Sequence, residues 1–218
     1  MSSRTLSAPA TAAVIALLGV VVGLAGDACH VASHTTRYEW SGVPTVWRSA
    51  IWFPLLLSIA VLAAAWLSER AATPPARRRT RADAALGASV VLALYGLTAL
   101  LRHQPTTVSV VLTGSIAVAL WAWWDPSPGA LTVAVGAAAL GTLAEIAIVA
   151  AGAASYADGV DGLAGVAPWL PCLYFAAGAV ASRLWAAIAR DGRPPDPTLA
   201  GQSGTSGDQS MSSDTTAS

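Results

Sequence analysis

Residues 129–152 read GALTVAVGAAALGTLAEIAIVAAG, an apolar run whose one ionisable side chain is Glu145. Crossing the hydrocarbon core of a bilayer takes about 20 apolar residues in a helix, so this run is long enough to span it. The bilayer core offers no water to backbone N–H and C=O groups, and a helix satisfies them within one segment. The stretch therefore predicts a transmembrane helix.

Five further apolar runs of similar length accompany this segment, separated by polar or Pro-containing breaks. The strongest breaks are Thr73-Pro74-Pro75 and Asp125-Pro126-Ser127-Pro128, because Pro lacks a backbone N–H and disfavours helix in the preceding residue. The sequence therefore predicts an all-α fold, a membrane bundle of six transmembrane helices. The predicted helices lie near residues 10–28, 47–67, 83–102, 107–124, 129–152 and 166–189.

The first run also has features of a secretory signal peptide, since Arg4 precedes an apolar core and small residues precede Cys29. Asp27 beside the cleavage position disfavours that interpretation. Removing the run would also leave five spans, with the termini on opposite sides of the membrane. We therefore count it as the first of six helices.

The arginine distribution predicts the orientation, because short loops rich in Arg stay in the cytoplasm. Both termini are expected to be cytoplasmic, in a bacterial plasma membrane, or in the endoplasmic reticulum membrane if the source is eukaryotic. The expected domains are a cytoplasmic N-terminus at 1–9, a six-span membrane domain at 10–190 and a disordered, polar tail at 191–218. The arginines assigned to the cytoplasmic side are Arg4, Arg70, Arg77, Arg78, Arg79, Arg81, Arg190 and Arg193, against Arg37, Arg48 and Arg102 outside.

The composition excludes several classes of function. Of the 218 residues, 55% are hydrophobic and 11% are charged, whereas charged residues make up about a quarter of soluble domains. A net charge of zero gives no overall field that would attract nucleic acid. Cys29 and Cys172 form no CxxC pair, and no phosphate-binding loop, HExxH or GxSxG motif occurs, so neither metal, cofactor nor enzymatic activity is predicted. All basic residues are Arg, and abundant Ala, Gly and Pro are typical of a GC-rich, actinobacterial-type source.

Glu145 is the ionisable residue most informative about function, because a carboxylate within a span is costly in lipid and is expected to face protein or water. Ala134, Ala137 and Gly141 precede it at helical spacing, so one stripe of the helix carries small residues and ends at Glu145. Two interpretations stay open. Glu145 is either a protonated group hydrogen-bonded to a neighbouring helix or a group that binds a ligand or moves a proton.

Other polar groups near the spans receive structural interpretations. Arg183 lies at a different depth from Glu145 and is expected to extend to the inner headgroups rather than form an ion pair with it. Asp27, His30 and His34 cluster at the outer end of the first helix, where solvated loop residues are favoured over metal ligands.

Two Trp-Pro segments differ from the other tryptophans, most of which lie near span ends as interfacial anchors. Pro54 follows Trp52, and Pro171 follows Trp169, in the outer turns of the second and sixth predicted helices. Proline there bends a helix or frees backbone groups, which predicts a place where a cavity opens.

At these segments the chain resembles the insulin-induced gene (Insig) family of six-span membrane proteins, which bind sterols or other lipids within the bilayer. Residues 169–178, WLPCLYFAAG, are similar to the family's Trp-Leu-Pro-Cys run and the aromatic and small residues that follow it. Residues 49–54, SAIWFP, resemble the family's Ser-Ala-Trp-Trp-Val-Pro. Weaker matches occur in the same order, although Ile146 stands where eukaryotic members carry Gln.

The resemblance implies a lipid- or sterol-binding protein of regulatory or sensory type, without catalysis, that holds its ligand in an intramembrane cavity. The implied partners are a membrane lipid, of glycerolipid or sterol-like chemistry, and further copies of the chain in a homo-oligomer. The expected ligand-binding residues are Trp52, Pro54, Gly141, Glu145, Trp169, Pro171, Cys172, Tyr174, Phe175 and Gly178, with Asp125, Asp158 and Asp161 as loop candidates.

The alternative function is a small transporter or channel, in which Glu145 and the small-residue stripe line a path. A membrane enzyme is the third possibility, disfavoured because no acid, base or nucleophile pair falls at a spacing that would assemble chemistry. Liposome flux separates the transporter from the lipid-binding protein.

The expected cavity opens to the outer half of the bilayer between the fifth helix, near Glu145, and the sixth helix. Ala176, Ala177 and Gly178 are expected to leave volume unfilled there, so that Gly178→Trp would displace a lipid without unfolding the protein. An apolar cavity at this depth does not hold water stably, which favours a lipid tail as its occupant.

Labelling of single-cysteine variants with an impermeant thiol reagent in intact cells tests the orientation. A cysteine placed near His34 is expected to react, because that turn is predicted to face outward. Cysteines at Arg77 and in the tail are expected to react only after the cells are opened. Labelling of the tail in intact cells, or none near His34, would contradict this topology.

Overall fold

A computed structural model describes residues 6–39, 42–71 and 74–189 of the chain. Each of its six long helices is long and apolar enough to cross a membrane, which confirms the predicted six-helix architecture. The predicted tail at 191–218 and the first five residues lie outside the described residues. The helices are α1 (Ala8–Ala32), α2 (Trp52–Arg70), α3 (Arg81–Leu100), α4 (Thr106–Trp124), α5 (Pro128–Ala150) and α6 (Leu170–Ala189).

Three helices begin at residues whose side chains cap the free backbone N–H groups of the first turn. Ser7 accepts a hydrogen bond from the N–H of Ala10 at the start of α1, and Ser127 accepts one from Ala130 at the start of α5. Thr80 and Asp83 form a reciprocal capping box at α3. Such caps stabilise a helix start by about 1 kcal/mol each, which makes these boundaries sharp.

The second and sixth helices begin later than predicted, at Trp52 rather than near residue 47 and at Leu170 rather than near residue 166. Before α2 the chain forms a short hairpin, β2 (Thr45–Val46) with β3 (Ser49–Ala50). Its turn residues Trp47 and Arg48 have φ of 50° and 67°, which a helix cannot accommodate. Before α6, Val166 pairs with Leu163 in a β-bridge.

A two-stranded antiparallel sheet closes one end of the bundle. Strand β1 (Thr36–Tyr38) follows α1, strand β4 (Ala154–Tyr156) follows α5, and Thr36 is paired with Tyr156. We call this end the strand end, and the opposite end, which carries residues 74–80 and the α4–α5 turn, the loop end. The strand end is the outer end in the predicted orientation.

Helix α6 is the centre of the bundle, because it packs against all five other helices. Leu173, Ala176, Ala179 and Ala187 have no exposed surface. Its contact with α5 is close enough to require glycine at two positions. A Cβ atom at Gly141 would lie 2.6 Å from Cγ of Tyr174, and one at Gly178 would lie 2.5 Å from Cβ of Ala137.

This close contact overturns one expectation from the sequence. Ala176 is fully buried and Gly178 lies against α5, so these residues leave no unfilled volume between the fifth and sixth helices. Consequently, Gly178→Trp is now expected to disrupt the bundle rather than to displace a ligand selectively, since an indole there would require separation of the two helices.

A single methyl group tests the packing at this contact. Gly178→Ala is expected to destabilise the protein by about 1–3 kcal/mol, because overpacking forces backbone shifts. Gly136→Ala in α5 is the matched control, since a Cβ atom there meets nothing within 4 Å. Thermal unfolding in detergent should show a lower melting temperature for Gly178→Ala and an equal or slightly higher one for the control. Equal melting of Gly178→Ala and wild type would refute the close contact.

Candidate functional site

The strand end encloses a small polar cavity among α1, α2, α3, α5 and α6, which we call the tyrosine pocket. The cavity has a volume of about 20 Å³, and a volume of about 10–15 Å³ is enough to hold one water. All four tyrosines of the chain line it, which is notable in so apolar a sequence. Its polar lining is Tyr38, Tyr95, Tyr156, Tyr174, Asp27, His30, Thr36 and Glu145.

Glu145 is buried and faces the interior of the bundle, as predicted from the small-residue stripe. Its carboxyl group accepts a hydrogen bond of 2.8 Å from the hydroxyl of Tyr174 on α6. Gly141, one turn earlier on α5, leaves the space that the Tyr174 ring occupies. The Glu145 carboxyl group is thus hydrogen-bonded to a neighbouring helix and also lines the tyrosine pocket. Both interpretations of this residue, as a structural group and as a ligand-binding group, therefore stay open.

Asp27 and His30 are buried in α1, so their prediction as solvated loop residues is wrong. Asp27 accepts hydrogen bonds from the hydroxyls of Tyr38, at 2.6 Å, and of Ser49. His30 Nε2 lies 2.9 Å from the hydroxyl oxygen of Thr98. Tyr38 of β1 and Ser49 of β3 cover Asp27. The rings of Tyr95 and Trp169 pack against His30, so both side chains are removed from water. His34 is exposed, as expected, and no group of three metal-ligating side chains occurs within the described residues.

Two tyrosines of the pocket lie outside the spanning helices, on β1 and β4. Burial, together with the nearby Asp27 carboxyl, raises the pKa of Tyr38 above its usual value. Burial likewise raises the pKa of Tyr156, with a smaller contribution from Glu145. Both hydroxyls therefore stay protonated and act as neutral hydrogen-bond donors at physiological pH.

An apolar groove lies next to the tyrosine pocket, between α1, α2, α3 and α6. It has about 60 Å³ open to a water-sized sphere, and Tyr95 and Tyr174 line both cavities. The expected position of the apolar cavity, between the fifth and sixth helices, is therefore corrected to the other side of α6. Small and branched apolar residues line the groove, among them Gly19, Gly23, Ala88, Ala177, Leu57, Val91, Val180 and Leu184.

The structure brings some of the predicted site residues together and separates others. Trp52, Glu145 and Tyr174 line the tyrosine pocket, and the Trp169 ring lies 5.1 Å from the ring of His30. Pro54 is buried in the first turn of α2. Gly141 of α5 contacts α6, and Gly178 of α6 contacts α5. Three further predicted residues of α6 are half-buried, namely Pro171, Cys172 and Phe175. Asp158 and Asp161 are exposed and do not line the tyrosine pocket, and Asp125 lies at the loop end.

Sequence reasoning missed three pocket tyrosines, Tyr38, Tyr95 and Tyr156. Two of them lie on short strands, which carry too few residues for a period-2 pattern. The one available signal was the scarcity of tyrosine, with four residues in a chain of 218.

The loop end holds a buried ion pair, so the expectation that Arg183 extends to the headgroups is wrong. Asp125 has no exposed surface and binds the guanidinium of Arg183. It also accepts hydrogen bonds from the Ala76 N–H at 2.9 Å and the Ser127 hydroxyl at 3.0 Å. Burial opposes ionisation of Asp125, but these hydrogen bonds and the charge of Arg183 hold its pKa below its usual value.

Arg79 ties the basic α2–α3 loop to the same place. Its guanidinium donates to the carbonyl oxygens of Trp123 and Trp124, which end α4, and lies 4.5 Å from the Trp123 ring centre. A cation at a helix C-terminus is favourable, because the last carbonyl groups carry partial negative charge. These contacts hold the α2–α3 loop, the α4–α5 turn and α6 together at the loop end.

Replacement of the buried carboxylate tests this cluster. Asp125→Asn is expected to destabilise the protein by about 3–5 kcal/mol, because it removes the carboxylate that pairs with the buried guanidinium of Arg183. Since the pKa of Asp125 is lowered, its stabilisation is present above the usual Asp pKa and is lost as pH falls through the lowered value. The exposed Asp161→Asn is the control and should melt with wild type. A small effect at Asp125, equal to that at Asp161, would contradict the buried pair.

Comparison with known proteins identifies the relatives of this fold and site. No protein-family model matches the chain. An Insig protein homolog from Mycolicibacterium vanbaalenii is 40% identical over 174 residues, which is 79% of this chain and 84% of that protein. The crystal structure of MvINS, a mycobacterial Insig homolog from Mycobacterium vanbaalenii, superposes with a TM-score of 0.79 at 36% identity and covers 89% of this chain and 100% of its own. A cross-linked trimer of an arginine-to-cysteine variant of MvINS matches equally well. With six spanning helices and this degree of identity, the chain is a multi-pass membrane protein that belongs to the Insig family.

Proposed function

We propose that this protein binds a membrane lipid, with the polar head at the tyrosine pocket and the apolar part in the adjacent groove. The observation that carries the proposal is the junction of the two cavities at Tyr95 and Tyr174. A lipid is amphipathic and matches such a pair of neighbouring polar and apolar spaces. The family resemblance supports the same conclusion.

The chemistry of the pocket favours an uncharged head that carries a hydroxyl group. The carboxyl groups of Asp27 and Glu145 line the pocket, and an anionic head would be repelled there or force both to be neutral. The tyrosines offer hydroxyl donors and acceptors instead. The space suits one group of the size of water, which a glycerolipid or sterol-like hydroxyl provides.

The role we propose is regulatory or sensory rather than catalytic. Within the described residues, each pocket carboxyl group is hydrogen-bonded by hydroxyl groups of Tyr or Ser. Such groups hold a ligand in position, whereas a general base needs a substrate proton within reach. We therefore propose that the protein is not an enzyme.

A transporter that uses Glu145 is the competing function. The pocket at Glu145 has room for about one water, which supports binding rather than passage. Proteoliposomes loaded with a pH-sensitive dye decide between them. A proton leak that Glu145→Gln abolishes would favour the transporter, and the absence of any leak above empty liposomes would favour the binding protein.

We further propose that the chain forms a homo-oligomer in the plasma membrane, with both termini in the cytoplasm. The cross-linked trimer of MvINS supports the oligomer. Helices α4 and α5 carry exposed apolar side chains that suit contact with lipid or with another copy, among them Val111, Val118, Leu140 and Leu143.

Native mass spectrometry after purification in mild detergent tests the lipid-binding function. Wild type is expected to retain a lipid. Ala88→Phe is expected to reduce retention at least tenfold, because Ala88 lines the groove and a phenyl ring would fill it. Ala93→Phe, on the exposed side of the same helix, is the matched control and should retain the lipid. A wild-type protein without retained lipid in several mild detergents would refute the proposal, as would equal retention by Ala88→Phe when folded.

A further inference from the structure

Another cavity at the strand end is cationic, in contrast to the tyrosine pocket. We call it the arginine pocket. It has about 270 Å³ open to a water-sized sphere, and it is lined by His34, Arg37, Arg102, Ala157 and Asp158. Arg37 and Arg102 are two of the three arginines that the predicted orientation places outside, where arginine is scarce. Two of these charges therefore share one cavity.

Backbone contacts hold the walls of the arginine pocket in place. The N–H of Ala157 donates to the carbonyl oxygen of Thr35 at 3.0 Å, which joins the turn after α1 to the segment after β4. Arg102, in the α3–α4 connection, donates through Nη1 to the carbonyl oxygen of Ser33. One donor of its guanidinium thus positions the group, and a guanidinium has five.

Arg37 supplies the second guanidinium. It lies on β1 opposite Ser155, which sets its place on the sheet. Arg37 is exposed, and within the described ranges 6–39, 42–71 and 74–189 its side chain forms no hydrogen bond or ion pair. The guanidinium groups of Arg37 and Arg102 offer only hydrogen-bond donors to this cavity, and the imidazole of His34 offers a further donor. A phosphate group matches such a set, because its oxygens accept hydrogen bonds from the planar fork of arginine two at a time.

The surroundings point to a lipid as the carrier of that phosphate. Leu100, two residues before Arg102, is 81% exposed, and it belongs to the apolar surface of α3. The cavity therefore lies at the border between that surface and the polar end of the bundle, at the level of the lipid headgroups. We infer that the arginine pocket binds the phosphate group of an anionic lipid in the outer leaflet. This site is separate from the tyrosine pocket, which suits an uncharged head.

Asp158 is the one acidic residue that lines the arginine pocket. Its carboxylate competes with a phosphate group for the guanidinium groups and repels the ligand. Removal of its charge is therefore expected to strengthen phosphate binding, whereas removal of an arginine is expected to weaken it.

Isothermal titration of the purified protein in neutral detergent tests the site, with inorganic phosphate and dihexanoylphosphatidylglycerol as probes. Dihexanoylglycerol, which lacks phosphate, reports on the tyrosine pocket and groove alone. The variants are Arg37→Gln, Asp158→Asn and the control Arg48→Gln, an exposed outer arginine that does not line the arginine pocket. Unchanged melting and elution show that each variant is folded.

Wild type is expected to bind at least one phosphate probe saturably, and more weakly at high salt. Arg37→Gln should weaken that binding about tenfold, Asp158→Asn should strengthen it severalfold, and Arg48→Gln should leave it unchanged. Tighter binding of the lipid than of inorganic phosphate confirms a lipid carrier, whereas equal affinities support the phosphate site but overturn the lipid assignment. No saturable binding of either probe, or an equal loss in Arg37→Gln and Arg48→Gln, overturns the site.

Discussion

The close approach of α5 and α6 determines where the polar groups of this protein can lie. Gly141 makes room for the ring of Tyr174, and Gly178 lies against Ala137, so no large side chain separates the two helices. In a bilayer, lipid tails are as apolar as leucine, and helices associate through such close packing and through hydrogen bonds. The same approach brings the Tyr174 hydroxyl within 2.8 Å of Glu145. The close helix packing and the hydrogen bond to Glu145 therefore depend on each other.

The two ends of the bundle satisfy their buried carboxyl groups in different ways. Asp125 meets the positive charge of Arg183 at the loop end, whereas Asp27 and Glu145 meet neutral hydroxyl groups at the strand end. The hydroxyl groups at the strand end leave a space the size of one water in the tyrosine pocket. The loop end is therefore closed by an ion pair, whereas the strand end, where we propose that the lipid head binds, keeps a small open space.

The parts of the structure that follow from local sequence were predictable, and those that depend on distant pairing were not. Run length and proline breaks predict six helices, and the cost of a carboxylate in lipid predicts that Glu145 faces inward. The burial of Asp27 depends on Tyr38 and Ser49, and that of His30 on Tyr95 and Trp169, which only the tertiary fold brings to the end of α1. The later start of α2 depends on Trp47 and Arg48 in left-handed conformation, which neither residue type favours.

Helix α6 carries residues at both ends of the bundle, so a movement of this helix would affect both ends. Tyr174 lines the tyrosine pocket, Val180 and Leu184 line the groove, and Arg183 forms the ion pair at the loop end. A ligand shifts a conformational equilibrium only by the difference in its affinity for the two states. A lipid bound in the groove, as we propose, would contact the same helix that holds Asp125 through Arg183. A displacement of α6 by such a lipid would therefore reach the ion pair, and with it the loop that Arg79 fixes to the end of α4.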